Sequence, residues 1–304
     1  MTVDLATAVG SVALANPVMT ASGTAGYGTE LSAYGPLGSL GAHVVKSLSA
    51  EPWPGNPAPR VTESGPNMLN SVGLSGPGLE SWLETELPEL AAAGATVVVS
   101  IWGRSVEAFA KAAAMLKGVG GPVVAVEVNV SCPNVEDRSR MFAHHPTATA
   151  EAVAASECGL ARWAKLSPNV PDLCEIAGAA LGAGAEGVTL VNTLLAMVVD
   201  PVRRAPVLGA GGGGLSGPAL RPVAVRAVAE CRTAFPDAGI VGVGGVASGR
   251  DAAELLVAGA DAVQVGTATF RDPRAPWRVL SGLERWCRRH GVGAVHELVG
   301  SMHG

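Results

Sequence analysis

Eight short apolar runs punctuate the chain, and each stops at a polar or very small residue. The runs cover residues 17–20, 43–46, 96–101, 123–130, 161–166, 187–191, 240–243 and 262–265. They are near-continuous stretches of Val, Ile, Leu and Ala, the pattern of strands buried on both faces of a parallel sheet. Ala-rich stretches between them, at 105–116, 172–181, 218–234 and 249–258, read as helices. Pro218 and Arg250-Asp251 supply first-turn residues for two of these. Strands alternating with helices in this number fit a (β/α)8 TIM barrel, one α/β domain over residues 1–304. Periodicity alone does not separate a barrel from a doubly wound sheet. The run ends do: Ser22-Gly23, Lys46, Ser100, Asn129, Lys165, Asn192, Gly244-Gly245 and Gly266-Thr267. In a parallel barrel all eight strand ends share one rim, where active sites are built.

Composition removes several classes. Charged residues are 15% of the chain and apolar ones 48%, so it is no disordered segment. A net charge of −5 argues against a nucleic-acid binder that relies on a basic field. The N-terminal MTVDLATAVGSVALANP lacks the basic residues of a secretory signal. Residues 176–199 are long enough to span a bilayer, but they carry Glu186 and a glycine cluster. They read as a helix end, a turn and a buried strand. The expected compartment is the cytoplasm, with no membrane contact. Five cysteines, at 132, 158, 174, 231 and 287, are odd in number and never spaced CxxC. That disfavours a disulfide framework, a zinc site or a self-contained iron–sulfur cluster, and no metal site is expected.

Two Gly-rich loops follow consecutive late strands, Val243-Gly244-Gly245-Val246 and Val265-Gly266-Thr267. This is the usual phosphate cradle of such a barrel: bare backbone N–H groups approach the anion and a helix N-terminus adds partial positive charge. Neither loop has the GxGxxG spacing at the first strand, so a Rossmann dinucleotide site is disfavoured. The sharpest motif is Asn129-Val130-Ser131-Cys132-Pro133-Asn134. Pro133 forbids continuation of the ladder, which places Cys132 on a rim loop rather than in the core. Asn129 and Asn134 both donate and accept hydrogen bonds, suited to a flat, amide-rich ligand beneath a thiol. Lys46 and Lys165 close two strands; a buried lysine needs an anion, either a ligand or a neighbouring carboxylate. The Pro- and Gly-rich stretch 49–90, which contains Met68 to Leu74, is too long for an ordinary βα loop and is expected over the barrel mouth. The glycines at 209–214 read as a flexible loop or a simple linker before the next helix. Asn192-Thr193 could be a helix cap.

These residues resemble the dihydroorotate dehydrogenases. NPVMTASG at 16–23, GNPAPR at 55–60, MLNSVGL at 68–74, NVSCPN at 129–134, KLSPNV at 165–170, VNT at 191–193, GGLSGPALRP at 213–222, GVGGV at 242–246 and VGTATF at 265–270 carry the likeness over nearly the whole chain. Cys132, where membrane-associated class 2 members have Ser, points to the soluble class 1 enzymes. MLNSVGL and KLSPNV look more like their B type than the fumarate-using A type. The resemblance implies FMN in a TIM barrel and oxidation of dihydroorotate to orotate in pyrimidine synthesis. It implies flavin contacts from Ser22, Lys46, Ser47, Ser100, Asn129, Lys165, Gly217, Gly244, Gly245, Gly266 and Thr267. It implies substrate contacts from Lys46, Asn70, Ser71, Val72, Gly73, Leu74, Asn129, Asn134, Asn192 and Thr193. Cys132 would be the general base and Lys46 a catalytic cation. A thiol in that role needs a pKa brought toward neutrality by positive neighbours. Ser100 stands where many B-type relatives have Asn. Val135 to His145 carries charged residues where relatives are Gly-rich.

The B type passes electrons to a second subunit with FAD and a [2Fe–2S] cluster, which reduces NAD+, so a docked partner in a homodimer or heterotetramer is implied. Two alternatives stand beside this. One is another Cys-dependent flavin barrel, of the dihydropyrimidine dehydrogenase or dihydrouridine synthase kind; the acidic balance weighs against the tRNA-acting one. The other is a catalytically silent barrel that binds a phosphate ligand.

Overall fold

The computed structural model describes residues 2–132 and 141–304. Eight parallel strands form the central sheet: β1 (Val18–Thr20), β2 (His43–Val44), β3 (Val97–Ile101), β4 (Val123–Asn129), β5 (Ala161–Lys165), β6 (Gly187–Leu190), β7 (Gly239–Val243) and β8 (Ala262–Val265). Neighbours follow chain order from β2 to β8, and β8 pairs with β1 with Val265 opposite Thr20. The seam between β1 and β2 closes through Gly41 N to Val18 O at 2.8 Å and Thr20 N to Ala42 O at 3.2 Å. The expected (β/α)8 barrel is therefore the architecture. Helices follow seven of the strands. The β1–β2 connection carries the 3-10 turn Leu37–Ser39 instead, because those residues are Gly- and Pro-interrupted.

Local chemistry places the helices. Ser105, Asp172 and Ser248 are N-caps whose side chains accept from Ala108 N, Glu175 N and Asp251 N, so the helices Val106–Leu116, Leu173–Gly182 and Gly249–Ala258 start there. Helix Gly249–Ala258 packs so closely on Ala275–His290 that a Cβ at Gly249 would lie 2.0 Å from the Gly282 carbonyl carbon. Residues 176–199 hold the end of one helix, a turn and β6, followed by the strand Leu194–Ala196. No helix among the described residues is long and apolar enough to cross a membrane.

The barrel is plugged from below by the hairpin Thr7–Val9 and Val12–Leu14. Its Val9, Val12 and Leu14 pack on Met19, Val44, Val98, Ala125, Trp163, Val241 and Ala262. Because side chains alternate along a strand, the inward position two residues further on is Lys46 on β2's extension, Ser100 on β3, Glu127 on β4, Lys165 on β5 and Gln264 on β8. The interior thus turns from apolar to polar toward the C-terminal rim.

Above that rim sits a second, antiparallel sheet in the order Leu194–Ala196, Gly213–Ser216, Asn67–Asn70, Val61–Ser64. Two expectations are corrected here. The glycines at 213–214 are not a linker: Gly213–Ser216 is a central strand, with Gly214 opposite Asn70 and Leu195. Met68 to Asn70, inside the long loop stretch 49–90, is likewise strand. Small residues are required because a Cβ on Gly213 would lie 2.5 Å from the Asn70 carbonyl oxygen.

Candidate active site

One cavity of about 940 Å³ opens between the barrel rim and the antiparallel sheet. Seven of the eight strand ends contribute to it, all but that of β3. Ser22 and Gly23 follow β1, Lys46 and Ser47 follow β2, and Asn129 ends β4. Lys165 ends β5, Asn192 and Thr193 follow β6, Gly244 and Gly245 follow β7, and Gly266 and Thr267 follow β8. The overlying sheet and its loops bring Asn70, Ser71, Val72, Gly73, Leu74 and Gly217 to the same space. Seventeen expected residues thus meet in one cavity: Ser22, Lys46, Ser47, Asn70, Ser71, Val72, Gly73, Leu74, Asn129, Lys165, Asn192, Thr193, Gly217, Gly244, Gly245, Gly266 and Thr267.

Hydrogen bonds fix the polar floor. Asn129 Nδ2 donates to Ser47 Oγ at 3.1 Å, and Asn192 Nδ2 donates to Asn129 Oδ1 at 3.3 Å. Ser47 Oγ also lies 3.2 Å from Ser22 Oγ and 2.9 Å from Ser100 Oγ. Ser100 is buried behind Ser47, and its hydroxyl meets Ser47 Oγ rather than the cavity wall. Asn192 Oδ1 accepts from Thr193 N at 2.8 Å, and the strand Leu194–Ala196 follows, so the pair caps no helix. Asn56 Nδ2 donates to Ser71 Oγ at 2.8 Å and Arg60 Nε to Asn56 O at 2.6 Å, so the GNPAPR segment fastens the 70–74 loop.

The two lysines differ. Lys165 Nζ lies 3.5 Å from Glu127 Oε1, the carboxylate pairing that sequence left open, yet Lys165 still lines the cavity. Lys46 has no carboxylate within 4 Å among the described residues. Burial, and then the neighbouring Lys165 charge, bring its pKa down to about 8.

Cys132 departs from expectation. It follows β4 on a loop, but its side chain is fully buried in the main core and does not line the cavity. Its thiol donates to Gly103 O at 2.9 Å and Asn129 O at 3.3 Å. Burial pushes the thiol up to about 12, the reverse of the lowered value a base needs. The cause is local: Gly103 offers a bare carbonyl beside an apolar wall that includes Phe142 and Phe109. Its neighbour Ser131 faces the cavity instead, with a buried hydroxyl that has no protein partner. Asn134 lies outside the described residues, as does most of the charged loop after Cys132.

Sequence reading passed over several lining residues, among them Thr24, Ser216 and Met141. Ser216 Oγ accepts from Thr267 Oγ1 at 2.7 Å. Its signal was its place between two glycine-rich segments, visible only once Gly213–Ser216 is known to be a strand.

Comparison with known proteins fits this arrangement. Residues 4–286 match the family described as dihydroorotate dehydrogenase. A Desulforudis audaxviator protein named dihydroorotate dehydrogenase B (NAD(+)), catalytic subunit, is 47% identical, covering 100% of this chain and 99% of that protein. A Desulforamulus reducens protein of the same name is 44% identical, with 100% of both chains covered. A Solibacter usitatus protein, provisionally named as the fumarate-using A type, is 43% identical over 99% of each. With a family match across most of its length and relatives aligned end to end, this chain belongs to the dihydroorotate dehydrogenase family.

Proposed function

We propose that the chain oxidises dihydroorotate to orotate in pyrimidine synthesis, with FMN held in the rim cavity. The observation that carries this reading is the convergence of two cavity lysines, six expected asparagine and serine side chains and the β7 and β8 glycine loops on one space of about 940 Å³, within the range of a small-molecule or cofactor site.

The donor set suits FMN. The backbone at Gly244-Gly245 and Gly266-Thr267, which lines the cavity close in sequence to the N-terminus of the Gly249–Ala258 helix, would take up the phosphate. A Cβ on Gly245 would fall 2.6 Å from Arg221 Cβ, so the loop reaches this shape only with glycine there. Lys165 and Asn129 supply donors for the polar edge of a ring. When bound, FMN supplies the hydride acceptor.

The chain's own residues do the rest. Lys46 and Asn70, Asn129 and Asn192 bind the carboxylate and amide edge of dihydroorotate, and their hydrogen-bonded mesh holds it in one orientation. The overlying sheet shields it from water. Cys132 takes the proton from C5. To do so its thiol exchanges the Gly103 and Asn129 carbonyls for the substrate carbon, beside the lysines that stabilise a thiolate.

Lys46 gives a pH signature. Its proton is lost near pH 8 in the free protein, against the usual value near 10.5, and a carboxylate ligand restores the charged form. Binding therefore takes up a proton above pH 8. Orotate affinity should be flat below about pH 8 and fall toward tenfold per pH unit above it. Calorimetry in buffers of different ionisation enthalpy should register the uptake near pH 9. A flat affinity from pH 7 to 9.5 would remove Lys46 from the carboxylate site.

The relatives' names, B type with NAD(+) and a catalytic subunit, support a separate partner subunit; in this reading it carries FAD and [2Fe–2S] and passes electrons to NAD+, and the single barrel domain works with it in the cytoplasm. The test is NADH production from dihydroorotate. It is expected only when the second subunit is added, and dihydrouracil is expected to be inert. NADH from the chain alone contradicts the partner, and turnover of dihydrouracil supports the free-base alternative.

A further inference from the structure

Glu127 sits at the middle level of the barrel interior and is completely buried. Packing alone does not call for it. The level below is apolar, and its β4 neighbours Val126 and Val128 show what a barrel strand ordinarily carries. A buried carboxylate costs several kcal/mol to desolvate, and a hydrophobic replacement of similar volume is often as stable. Its contacts are specific. Gln264 Nε2, across the barrel on β8, donates to Glu127 Oε2 at 2.8 Å, and Lys165 Nζ lies 3.5 Å from Oε1. Oε1 has no hydrogen-bond partner, so Lys165 is what its charge answers.

Lys165 faces two ways, toward Glu127 below and into the cavity above. With Lys46 beside it, the floor holds two cations and one anion. We propose that Glu127 is a positioning residue that holds Lys165 upright under the flavin and reduces the net charge of the floor, thereby setting how readily the bound flavin accepts electrons. Gln264 fixes the carboxylate in the orientation that leaves Oε1 for Lys165. Glu127 reaches neither substrate nor cofactor; it acts through Lys165. The inference rests on the FMN reading above.

The substitution Glu127→Gln keeps the shape and removes the charge. An uncompensated Lys165 then favours the electron-rich reduced ring. The midpoint potential of the FMN-loaded protein should move positive by the equivalent of at least a tenfold change in the reduction equilibrium, about 30 mV for a two-electron couple. Retention of oxidised FMN should change less than the potential does. In a Lys165→Met background the same substitution should shift the potential clearly less, because the cation it acts through is gone. Should Glu127→Gln fail to fold, Glu127→Asp withdraws the carboxylate by one methylene and should give a smaller positive shift. A potential unchanged in whichever variant folds, or an equal shift with Lys165→Met present, overturns the proposal and leaves Glu127 as packing. Wild-type protein that takes up no FMN fails the functional reading instead, and is distinguishable at the first step.

Discussion

Replacing Cys132 with Ala should leave FMN bound and slow flavin reduction by dihydroorotate about 10²- to 10⁴-fold, the usual worth of a positioned general base. Flavin retention is expected because the Cys132 side chain touches no part of the cavity. The small cavity left among Phe142, Phe109 and their neighbours costs stability, not cofactor. The pH profile carries more information than the rate. In its buried position the thiol has a pKa of about 12, against an ordinary value of 9, so ionisation there costs about 4 kcal/mol more than in water. On the proposed assignment the sulfur moves off Gly103 and toward the lysines before it takes the proton. The observed reduction rate should rise with pH to a plateau whose midpoint lies well below 12. Cys132→Ser should move that midpoint upward, since a hydroxyl ionises later. Stopped-flow reduction of Cys132→Ala at the wild-type rate would remove the base assignment, and a wild-type rate still rising at pH 11 would show that the thiol reacts from its buried position.

The second large effect lies at the phosphate end. Gly245 has φ +69°, and a Cβ there would meet Arg221 Cβ at 2.6 Å and its backbone nitrogen at 3.0 Å. Arg221 cannot yield easily, because it opens the Arg221–Ala234 helix and is tied to Asp251 and to Glu254 Oε2 at 3.0 Å. Gly245→Ala thus combines left-handed strain of about 1–2 kcal/mol with a steric shift of the loop that cradles the anion. FMN affinity should fall by about 10²-fold or more, and the protein should purify largely colourless. Gly291→Ala is the matched control. That glycine ends the Ala275–His290 helix at φ +74° with no atom near its missing Cβ. It should lose stability of similar size and keep the wild-type flavin content. Equal flavin loss in both would mean that general destabilisation, not the cradle, releases the cofactor.

The barrel was readable because its strands are two-sided. Val97–Ile101 is VVVSI, with every residue buried, and such a run has few other homes in a chain of this length. The strand ends were readable for the same reason: a lysine or asparagine closing an apolar run must face something polar, and a parallel barrel gathers all such ends. What escaped was pairing at a distance. Asn67–Asn70 and Gly213–Ser216 form one ladder although about 145 residues separate them, and glycine-rich composition makes the latter look like a linker. Side-chain direction on a loop also escaped. NVSCPN singles out a cysteine as the candidate base, but whether its sulfur faces cavity or core depends on the carbonyl of Gly103, supplied by a different strand end. Ser100 shows the same limit, since its place behind Ser47 depends on a hydroxyl supplied by another strand.

Anaerobic titration of the FMN-loaded chain with dihydroorotate tests the central claim most directly. One equivalent should bleach the flavin absorbance and release one equivalent of orotate, with no second polypeptide present. A flavin that stays oxidised in excess dihydroorotate, or a chain that never acquires flavin colour on incubation with FMN, would contradict it.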